Sequence, residues 1–570
     1  MCAIFGVIGK IDREKALNAF SLLLHRGEDE SGVYEANGVF LAHHRLYILD
    51  KDAKQPFVQN EKVLLFNGEI YNYKDFHTSE AAAIVAVAPN FSKLDGMFAL
   101  ALLDKEKLYL ARDLFGKKPL YYTLWQDSFI FASEIKAILT YINKQKINAR
   151  ALSSYLSFGS AVGRETFYEG IYKLEGGEIL ELNTKTLHYE CKRFATLLKK
   201  RPGSLETLLI KAVKKRLQGD FPVVSLLSGG VDSSFVSAIA KRLQGSLATY
   251  SIGYEEGRYS ELPYAREVAQ YIGSDHYEII FTKDDFFATL ERASTFFDEP
   301  IGDSASLPLF YLMERIKKDG AKVVLSGEGG DEIFLGYRQY FEFFDLYKAR
   351  DLKYKNWLKN YFRSHFSPNK EWEWYKRVLS DEVIFRSSCE VFTDLQKNLF
   401  LRQNVKDNES LQFLQPYLEE WERSGWKDVA AFFTYIDIKV RLQSLYLVKL
   451  DTTSMAHTIE ARTPLLDSSV LYSAFADPQR SKAPKYLLKK IASKYIPQSI
   501  IERKKRGFSY PALEWLQSSG SDQKLREANK RFNLFKQEQL EFLIENAKRN
   551  RFTRHYWLVY ALLDWMERKF

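Results

Sequence analysis

The chain has 570 residues, of which 46% are hydrophobic and 27% charged, a composition that is typical of globular proteins and excludes a mainly disordered chain. At roughly 150 residues per domain, this length predicts several domain-sized units that merge into two or three. The net charge of +9 is too small for this length to identify a nucleic-acid-binding protein. Three scattered cysteines, Cys2, Cys191 and Cys389, exclude a disulfide framework and a cysteine-rich zinc site.

The apolar runs are all shorter than the roughly 18 uninterrupted residues that a transmembrane helix needs. The longest, AAAIVAVAP at 81–89, ends at a proline. The first residues, MCAIFGVIGK, place no basic segment ahead of their apolar run, as a signal peptide would. We therefore expect a soluble, cytoplasmic protein without a membrane partner.

Residues 1–195 are predicted to form a strand-rich domain of mixed α and β structure, with a layered sandwich as the expected architecture. Its short apolar or alternating runs are separated by Gly, Asn and Asp, and they include AIFGVIG, VFLAHHRLYILD, KVLLFNGEIY, MFALALLD, LYLARD, PLYYTL and FIFAS. Segments 16–26 and 78–88 have helical composition and spacing. The basic segment TLLKKRPGS at 196–204 contains Pro and Gly and marks the predicted domain boundary.

Residues 205–570 are predicted to form the second domain. Apolar runs such as FPVVSLL, LATYSIGY, YEIIF and AKVVLSG alternate with helical patterns, which favours a parallel sheet with crossover helices. After about residue 340 the pattern is mostly helical and rich in Trp, Tyr, Phe and Lys. We interpret that part as a helical elaboration of the second domain.

The segment LLSGGVDSS at 226–234 lies between an apolar run and a helix predicted to begin near Ser233. Its tight turn and helix N-terminus predict a nest for an anion, formed by Ser228, Gly229, Gly230, Ser233 and Ser234. No Lys follows as it would in a P-loop, so the nest suits a pyrophosphate that is held and then released. Asp232 adds a carboxylate for a magnesium ion on those phosphates. A Gly-Ser helix cap without a ligand is the alternative.

A second motif, SGEGGDE at 326–332, follows the predicted strand AKVVL. It should lie at the carboxyl edge of the sheet, where ligands of open α/β folds bind. Two acids beside a triphosphate repel it unless a cation intervenes, so Asp331 and Asp232 are the predicted magnesium pair. A solvated acidic loop is the alternative interpretation.

The signature SGGxDS at 228–233 resembles that of the PP-loop ATP pyrophosphatase superfamily, whose members cleave ATP to AMP and pyrophosphate. Further blocks resemble the synthetase domain of glutamine-dependent asparagine synthetases: SIGYEE at 251–256, DEPIGDSAS at 298–306, SGEGGDE, SMAHTIEARTPLLD at 454–467 and RKKRGF at 503–508. The resemblance implies an α/β PP-loop domain of the adenine nucleotide α-hydrolase-like type. It implies that Glu328 forms or uses an acyl-adenylate and that Lys505 neutralises the leaving pyrophosphate. The adenosine pocket that it implies consists of Leu227, Ile252, Ser326 and Gly327.

Cys2 directly follows the initiator Met, and its small side chain permits removal of that Met. The mature chain would then begin with a thiol of pKa about 8.5 beside an α-amine of pKa about 8, which can take up the thiol proton. An unreactive residue at position 2 is the alternative.

The blocks around Cys2 resemble the class II glutamine amidotransferase domain, an N-terminal-nucleophile hydrolase: CAIFGVIG, LHRGEDESG, LAHHRLYILD, FNGEIYNY, LDGMFALALLD and ARDLFGKKPLYY occur in this order. The resemblance implies an αββα sandwich in which Cys2 attacks the glutamine side-chain amide. It implies an oxyanion hole of Asn67 with the Gly68 N–H, and an Arg45 that binds the substrate carboxylate. The glutamine pocket that it implies is lined by Arg45, Leu46, Tyr47, Ile48, Leu49, Asn67, Gly68 and Glu69.

The chain departs from the family pattern at the acid that holds the substrate amino group. The family has an aspartate there, whereas this chain has Glu80 in HTSEAAA, after a shortened segment. Either the longer acid compensates for a shifted helix, or the alignment slips. His43 and His44 are predicted to be structural, because no ligand spacing accompanies them.

Together the two halves predict a glutamine-hydrolysing enzyme of the asparagine synthetase family, with glutamine, aspartate and ATP as substrates and Mg²⁺ as cofactor. Ammonia freed at Cys2 would travel through the interior to the second site. There it would displace AMP from an adenylated aspartate. We expect no nucleic-acid partner and consider a homodimer.

One alternative stays open beside this prediction, and three others are disfavoured. The acceptor could be another carboxylate, such as a sugar acid or a peptide side chain. A β-lactam-forming relative is disfavoured, since it has no need of an N-terminal cysteine. A sulfur-transferring, nucleic-acid-modifying enzyme would need paired cysteines, and Cys191 and Cys389 form no such motif. A regulatory protein without activity would have lost catalytic residues, whereas the motifs of both sites are intact.

Overall fold

The computed structural model describes residues 2–49, 53–367, 369–504, 507 and 510–570. Within these residues, the N-terminal part contains two antiparallel sheets with the orders β10-β8-β9-β1-β3-β2 and β12-β11-β7-β6-β5-β4. The strands are β1 (Cys2–Gly9), β2 (Glu30–Ala36), β3 (Val39–Arg45), β4 (Phe57–Gln59), β5 (Lys62–Ile70), β6 (Gly96–Asp104), β7 (Lys107–Arg112), β8 (Tyr121–Trp125), β9 (Ser128–Ala132), β10 (Tyr172–Lys173), β11 (Glu178–Asn183) and β12 (Tyr189–Arg193).

Helices cover the outer faces of this pair of sheets. They are α1 (Arg13–Ser21), α2 (Glu80–Val87), α3 (Ile135–Ile142) and α4 (Ala149–Phe158), with short 3₁₀ turns at Leu24–Arg26, Tyr73–Asp75 and Phe91–Lys93. Because side chains alternate along a strand, β1 serves two cores: Ile4 packs between the sheets, whereas Phe5 packs under α1 and α3. The outer face of the second sheet packs against α2. The predicted αββα sandwich is therefore confirmed.

The second part of the chain is built on a parallel sheet with the order β15-β14-β13-β16-β17. Its strands are β13 (Val223–Leu226), β14 (Ala248–Gly253), β15 (Asp275–Ile280), β16 (Val323–Leu325) and β17 (Glu460–Arg462). The predicted parallel sheet is confirmed. The short edge strand β17 was not predicted, and it comes from the TIEAR segment far along the chain.

Helices surround this sheet and form the elaboration after it. Those within the sheet region are α5 (Leu205–Arg216), α6 (Val231–Gln244), α7 (Leu262–Ile272), α8 (Lys283–Phe296), α9 (Ser306–Lys318) and α10 (Gly330–Ile333). The later ones are α11 (Arg338–Tyr347), α12 (Lys355–Ser364), α13 (Lys370–Leu379), α14 (Asp394–Phe400), α15 (Glu409–Gln412), α16 (Gln415–Ser424), α17 (Val429–Asp437), a π-helix (Ile438–Tyr446), α18 (Leu447–Met455), α19 (Ser468–Ala476), α20 (Tyr486–Ala492), α21 (Gln498–Glu502), α22 (Ala512–Ser518), α23 (Ser521–Phe532), α24 (Gln537–Ala547) and α25 (Thr553–Lys569). Short 3₁₀ turns span Lys348–Asp351 and Pro478–Ser481.

The segment between the two parts, residues 194–204, contains no helix or strand. It ends at Ser204, whose side chain accepts a hydrogen bond from the Thr207 N–H and so caps α5. Among the helices of the described ranges, none combines the length and the apolar character that crossing a membrane requires.

Candidate active sites

Cys2 begins β1 and is buried, with 7% of its surface exposed. Its backbone N–H donates to Oδ1 of Asn67 at 3.0 Å. Burial raises the pKa of the thiol, while the positive N-terminus and a hydrogen bond from the Leu46 backbone partly offset the rise. A thiol in this state is mostly protonated at neutral pH, so a base must remove its proton before it can act as a nucleophile.

Asn67 lies on β5 with its side chain fully buried. Oδ1 contacts Cys2, and in the described part of the chain Nδ2 has no hydrogen-bond partner. A buried donor without a partner is costly, and an oxyanion beside Cys2 would satisfy it. The next residue, Gly68, has a φ of +139°, and a Cβ there would lie 1.9 Å from the Met97 carbonyl oxygen, so the position requires glycine.

The predicted substrate-carboxylate ligand, Arg45, ends β3 opposite Cys2 in the sheet register. Its Nη1 lies 3.3 Å from Oε2 of Glu30. The residues after it form the turn predicted to line the glutamine pocket, with Leu46 and Ile48 buried and Tyr47 and Leu49 half-buried. This turn also meets the second domain, because the Ile48 carbonyl accepts a hydrogen bond from the Asp220 N–H at 2.9 Å.

Glu80 is the first residue of α2, and its Oε1 accepts a hydrogen bond from the Ile70 N–H at 2.6 Å. It therefore faces the end of β5, close to Glu69. Burial raises the pKa of both carboxyls, that of Glu69 to about 7, and the negative charge of Glu460 raises both further. Arg462 Nη2 lies 3.3 Å from Oε1 of Glu69 and opposes the rise.

The two histidines of β3 both contact backbone carbonyls. The ring of His43 bonds to the Phe66 carbonyl at 3.0 Å, and that of His44 to the Phe20 carbonyl at 3.1 Å. Burial lowers the pKa of His43 to about 3 and that of His44 to about 4. Both rings are therefore neutral and structural at physiological pH.

In the second domain, the SGGVDSS loop follows β13. The helix α6 begins at Val231, so our predicted start near Ser233 was wrong by two residues, because the SGG turn already ends at Gly230. Ser233 Oγ accepts a hydrogen bond from the Ser228 N–H at 3.1 Å and lies 2.9 Å from Ser228 Oγ. Gly229 adopts a φ of +70°, and a Cβ there would lie 2.7 Å from the Ala265 nitrogen. This loop presents Ser228, whereas Ser234 is fully buried behind it.

The SGEGGDE loop follows β16 and contacts the first loop directly. A Cβ at Gly327 would lie 2.8 Å from the Ser233 nitrogen, and one at Gly330 would lie 2.5 Å from Oδ1 of Asp232. Of the predicted adenosine pocket, Leu227 and Ile252 are buried at the strand ends beside these loops. Ser326 is buried as well, and its N–H donates to the Arg462 carbonyl at 2.8 Å.

Because the two loops lie so close, Asp232 and Asp331 both form an ion pair with the same lysine, Lys485. Its Nζ lies 2.6 Å from Oδ1 of Asp331 and also pairs with Oδ2 of Asp232. Both carboxylates raise the pKa of this buried lysine. Sequence reasoning missed Lys485, because it stands at the head of a basic run, KYLLKK, whose pattern is typical of a solvated helix face.

The chemistry of the pair also fits a magnesium ion beside the lysine, because Lys485 contacts one oxygen of each acid and Mg²⁺ prefers carboxylate oxygens together with phosphate oxygens. The described residues contain no cluster of three His, Cys, Asp or Glu side chains that could hold a metal. The remaining ligands would therefore have to be phosphate and water oxygens.

Glu328 faces a second lysine that the sequence analysis did not identify. Lys449 on α18 lies 2.9 Å from Oδ2 of Asp303 and 3.9 Å from Oε1 of Glu328. Burial raises the pKa of Glu328, and Lys449 opposes that rise. The π-helix that precedes α18 is a rare geometry that is frequent at functional sites.

Lys505 lies outside the described residues. The segment that leads to it does reach the nucleotide loop, since Arg503 Nη1 donates to the Gly229 carbonyl at 3.0 Å.

Comparisons with known protein families and relatives agree with the two sites described above. A family model described as "Asparagine synthase" matches residues 204–567, and one described as "Glutamine amidotransferase domain" matches residues 1–195. The chain is 29% identical to asparagine synthetase (glutamine-hydrolyzing) 1 of Bacillus subtilis (strain 168), over 91% of this chain and 88% of the relative. It is 33% identical to asparagine synthetase (glutamine-hydrolyzing) 2 of Arabidopsis thaliana, over 59% and 61%.

Among solved structures, a glutamine phosphoribosylpyrophosphate amidotransferase from B. subtilis matches 43% of this chain and 65% of its own, at 18% identity and a TM-score of 0.26. That score is too low to carry an argument. The first family model covers more than half of the chain, and the resemblance inferred from the motifs is confirmed: the chain belongs to the asparagine synthase family.

Proposed function

We propose that the protein is a glutamine-dependent asparagine synthetase, which transfers the amide nitrogen of glutamine to the side-chain carboxylate of aspartate at the expense of ATP. The observation that carries the proposal is the presence of two separate polar sites in one chain. One is the buried Cys2–Asn67 pair, and the other is the pair of loops that holds Asp232 and Asp331 on Lys485.

The first half-reaction is assigned to Cys2. After removal of Met1, the free α-amine takes the thiol proton, and the sulfur attacks the carbonyl carbon of the glutamine side chain. Asn67 Nδ2 and the Gly68 N–H stabilise the oxyanion. The C–N bond then breaks, the α-ammonium returns a proton to the leaving nitrogen, and ammonia departs. Water hydrolyses the thioester to glutamate and regenerates the thiol.

The second half-reaction is assigned to the loops after β13 and β16. An oxygen of the aspartate side-chain carboxylate attacks the α-phosphorus of ATP, and pyrophosphate leaves. Mg²⁺, held by Asp232 and Asp331, would neutralise charge on the phosphates. Lys485, next to both acids, and Lys505 contribute positive charge where pyrophosphate forms. Ammonia then attacks the acyl carbon, Glu328 accepts a proton from it, and AMP leaves.

A cavity between the domains supports transfer of ammonia through the interior. Its volume is about 60 Å³, and its lining includes Arg26, Glu134 and Lys449. Arg26 Nε donates to the Cys2 carbonyl at 3.3 Å, whereas Lys449 is the neighbour of Glu328. The cavity thus adjoins residues of both sites. Ammonia that stays enclosed keeps its lone pair, whereas in water near neutral pH most of it is protonated.

The test is a reaction of the whole protein with amide-¹⁵N-glutamine, aspartate and Mg-ATP, followed by mass spectrometry. We expect ¹⁵N-asparagine and AMP in equal amounts. Glutamate without asparagine or AMP would reject aspartate as the acceptor and favour another carboxylate, such as a sugar acid or a peptide side chain. The homodimer and the cytoplasmic location stay predictions, which light scattering and cell fractionation would check.

A further inference from the structure

The edge strand β17 of the second domain reaches the glutamine pocket of the first. Glu460 and Arg462 stand two residues apart on this strand, so their side chains point to the same face. Both residues are fully buried. Arg462 Nη2 lies 3.3 Å from Oε1 of Glu69, and its Nε donates to Oε1 of Glu460 at 2.5 Å.

The guanidinium group of Arg462 is held in one orientation. Its Nη1 donates to the Arg216 carbonyl at 2.9 Å and also to the Gln218 carbonyl. Its backbone carbonyl accepts the Ser326 N–H at 2.8 Å. An arginine fixed at its backbone and at its side chain keeps its guanidinium group in a set position, and that position places Nη2 within ion-pair distance of Glu69, without a hydrogen bond between them.

The pocket that receives this arginine has an excess of acids. The described groups that face Glu69 are Cys2 on β1, Glu80 on α2, Tyr71 after β5, and Glu460 and Arg462 on β17. Two buried carboxyls close to each other cannot both ionise easily, because each raises the pKa of the other. The pKa of Glu69 is already raised to about 7, chiefly by burial. A positive charge at 3.3 Å favours the ionised form.

We propose that Arg462 is a positioning residue of the glutamine site, supplied by the second domain, which holds Glu69 in place and keeps the Glu69–Glu80 pair negatively charged so that the pair can bind the ammonium group of glutamine. The proposal deepens the proposed function and rests on glutamine as the nitrogen donor. Arg462 acts through Glu69 and does not touch the substrate. The glutamine site is complete only when β17 is in place.

The test measures glutamate release from glutamine by the full chain, without aspartate or ATP, across pH 6 to 9. In the wild type, the KM for glutamine should rise as the pH falls through about 7, where Glu69 takes up a proton. Arg462→Gln should move this rise to higher pH, because removal of the positive charge raises the pKa of Glu69. At pH 7 about half of Glu69 is ionised in the wild type, and a pKa one unit higher would leave about one eleventh ionised, so a profile that moves up by one pH unit should increase the KM at pH 7 by about fivefold. In Arg462→Lys, the KM should rise at a pH between that of the wild type and that of Arg462→Gln.

A matched control is Arg193→Gln. It removes a different interdomain arginine, which pairs with Glu420 at 3.2 Å and with Glu175 at 3.3 Å, and it should leave the pH dependence of the KM unchanged. Ammonia-dependent synthesis by Arg462→Gln should stay within about twofold of the wild type. An unchanged pH profile in Arg462→Gln would overturn the proposal, as would a parallel loss of both activities.

Glu69→Gln keeps the proposal testable should Arg462→Gln prevent folding. It should raise the KM at all pH values and abolish its dependence on pH near 7, and adding Arg462→Lys to it should have no further effect. A further effect of Arg462→Lys in that background would show that Arg462 does not act through Glu69. The hydrolysis assay needs neither aspartate nor ATP, so a wild type that makes no asparagine would refute the proposed function and leave this test readable, with thermal melting as the fold control.

Discussion

Lys485 is the cation that holds the two acids of the nucleotide site together, and replacing it with an uncharged residue of similar length tests that role. In Lys485→Met, Asp232 and Asp331 would face each other without their shared ammonium. Both carboxylates lie within ion-pair distance of the same nitrogen, so the two contacting oxygens are at most about 5 Å apart. At an effective dielectric constant of about 20, two unit charges at that separation or closer repel each other by at least about 3 kcal/mol.

Two results should follow from that repulsion. The variant should unfold at a lower temperature than the wild type, and Mg²⁺ should raise its melting temperature more than it raises that of the wild type, because a divalent cation can replace the missing charge. Aspartate-dependent release of AMP should fall by at least tenfold, whereas glutamine hydrolysis should be unchanged. Scanning fluorimetry with and without MgCl₂ and chromatography of AMP measure the two effects.

Lys490→Met is the matched control, since Lys490 lies exposed on α20, the helix that directly follows Lys485. It should change neither the melting temperature nor the release of AMP. If Lys485→Met melts like the wild type in the absence of Mg²⁺ and still forms AMP, then the two carboxylates do not depend on this lysine, and the electrostatic argument is wrong.

Three further changes separate the two half-reactions. Cys2→Ala should abolish glutamine-dependent synthesis and leave ammonia-dependent synthesis intact, and loss of both in an amino-acid analysis would refute the division into two sites. Asn67→Leu removes the buried amide donor beside Cys2, so kcat for glutamine hydrolysis should fall by about 10²–10³; a fall below tenfold would take Asn67 out of the oxyanion hole. Lys505→Ala should abolish AMP formation and spare glutamine hydrolysis, and near-normal AMP release would remove this residue from the phosphate site.

The site residues that could be predicted from the sequence lie in short motifs, in which the polar side chains stand directly beside a recognisable strand and turn. The SGGVDSS and SGEGGDE loops each follow an apolar strand, and the strand order of a parallel sheet then brings their carboxyl ends to one edge. This is how Asp232 and Asp331 could be paired from sequence, although they are far apart in the chain. Cys2 and Asn67 were paired from the family motifs, and their contact depends on the packing of one sheet on the other.

The residues that were missed carry no local signal. Lys485 and Lys449 each stand in a segment with no motif of its own, and only contacts with loops more than a hundred residues away distinguish them from surface lysines. The strand β17 has three residues, two of them charged, and strand propensity favours β-branched and aromatic residues instead. Its charges can be buried because they pair with each other and with Glu69.

The register in which β17 pairs with β16 links the glutamine site to the nucleotide site, so a change in that register would affect both. Arg462 pairs with Leu325 in the sheet, and Ser326, the residue that follows β16, begins the loop that carries Glu328 and Asp331. A slip of β17 by one residue would turn Glu460 and Arg462 to the opposite face, which would leave Glu69 without its cation and leave two charges buried without partners. The same slip would remove the hydrogen bond that the Ser326 N–H donates to Arg462. Substitutions that break the backbone pairing of β17 with β16 should therefore impair glutamine binding and AMP formation together, unlike Arg462→Gln or changes at Cys2 or Lys485, which separate them.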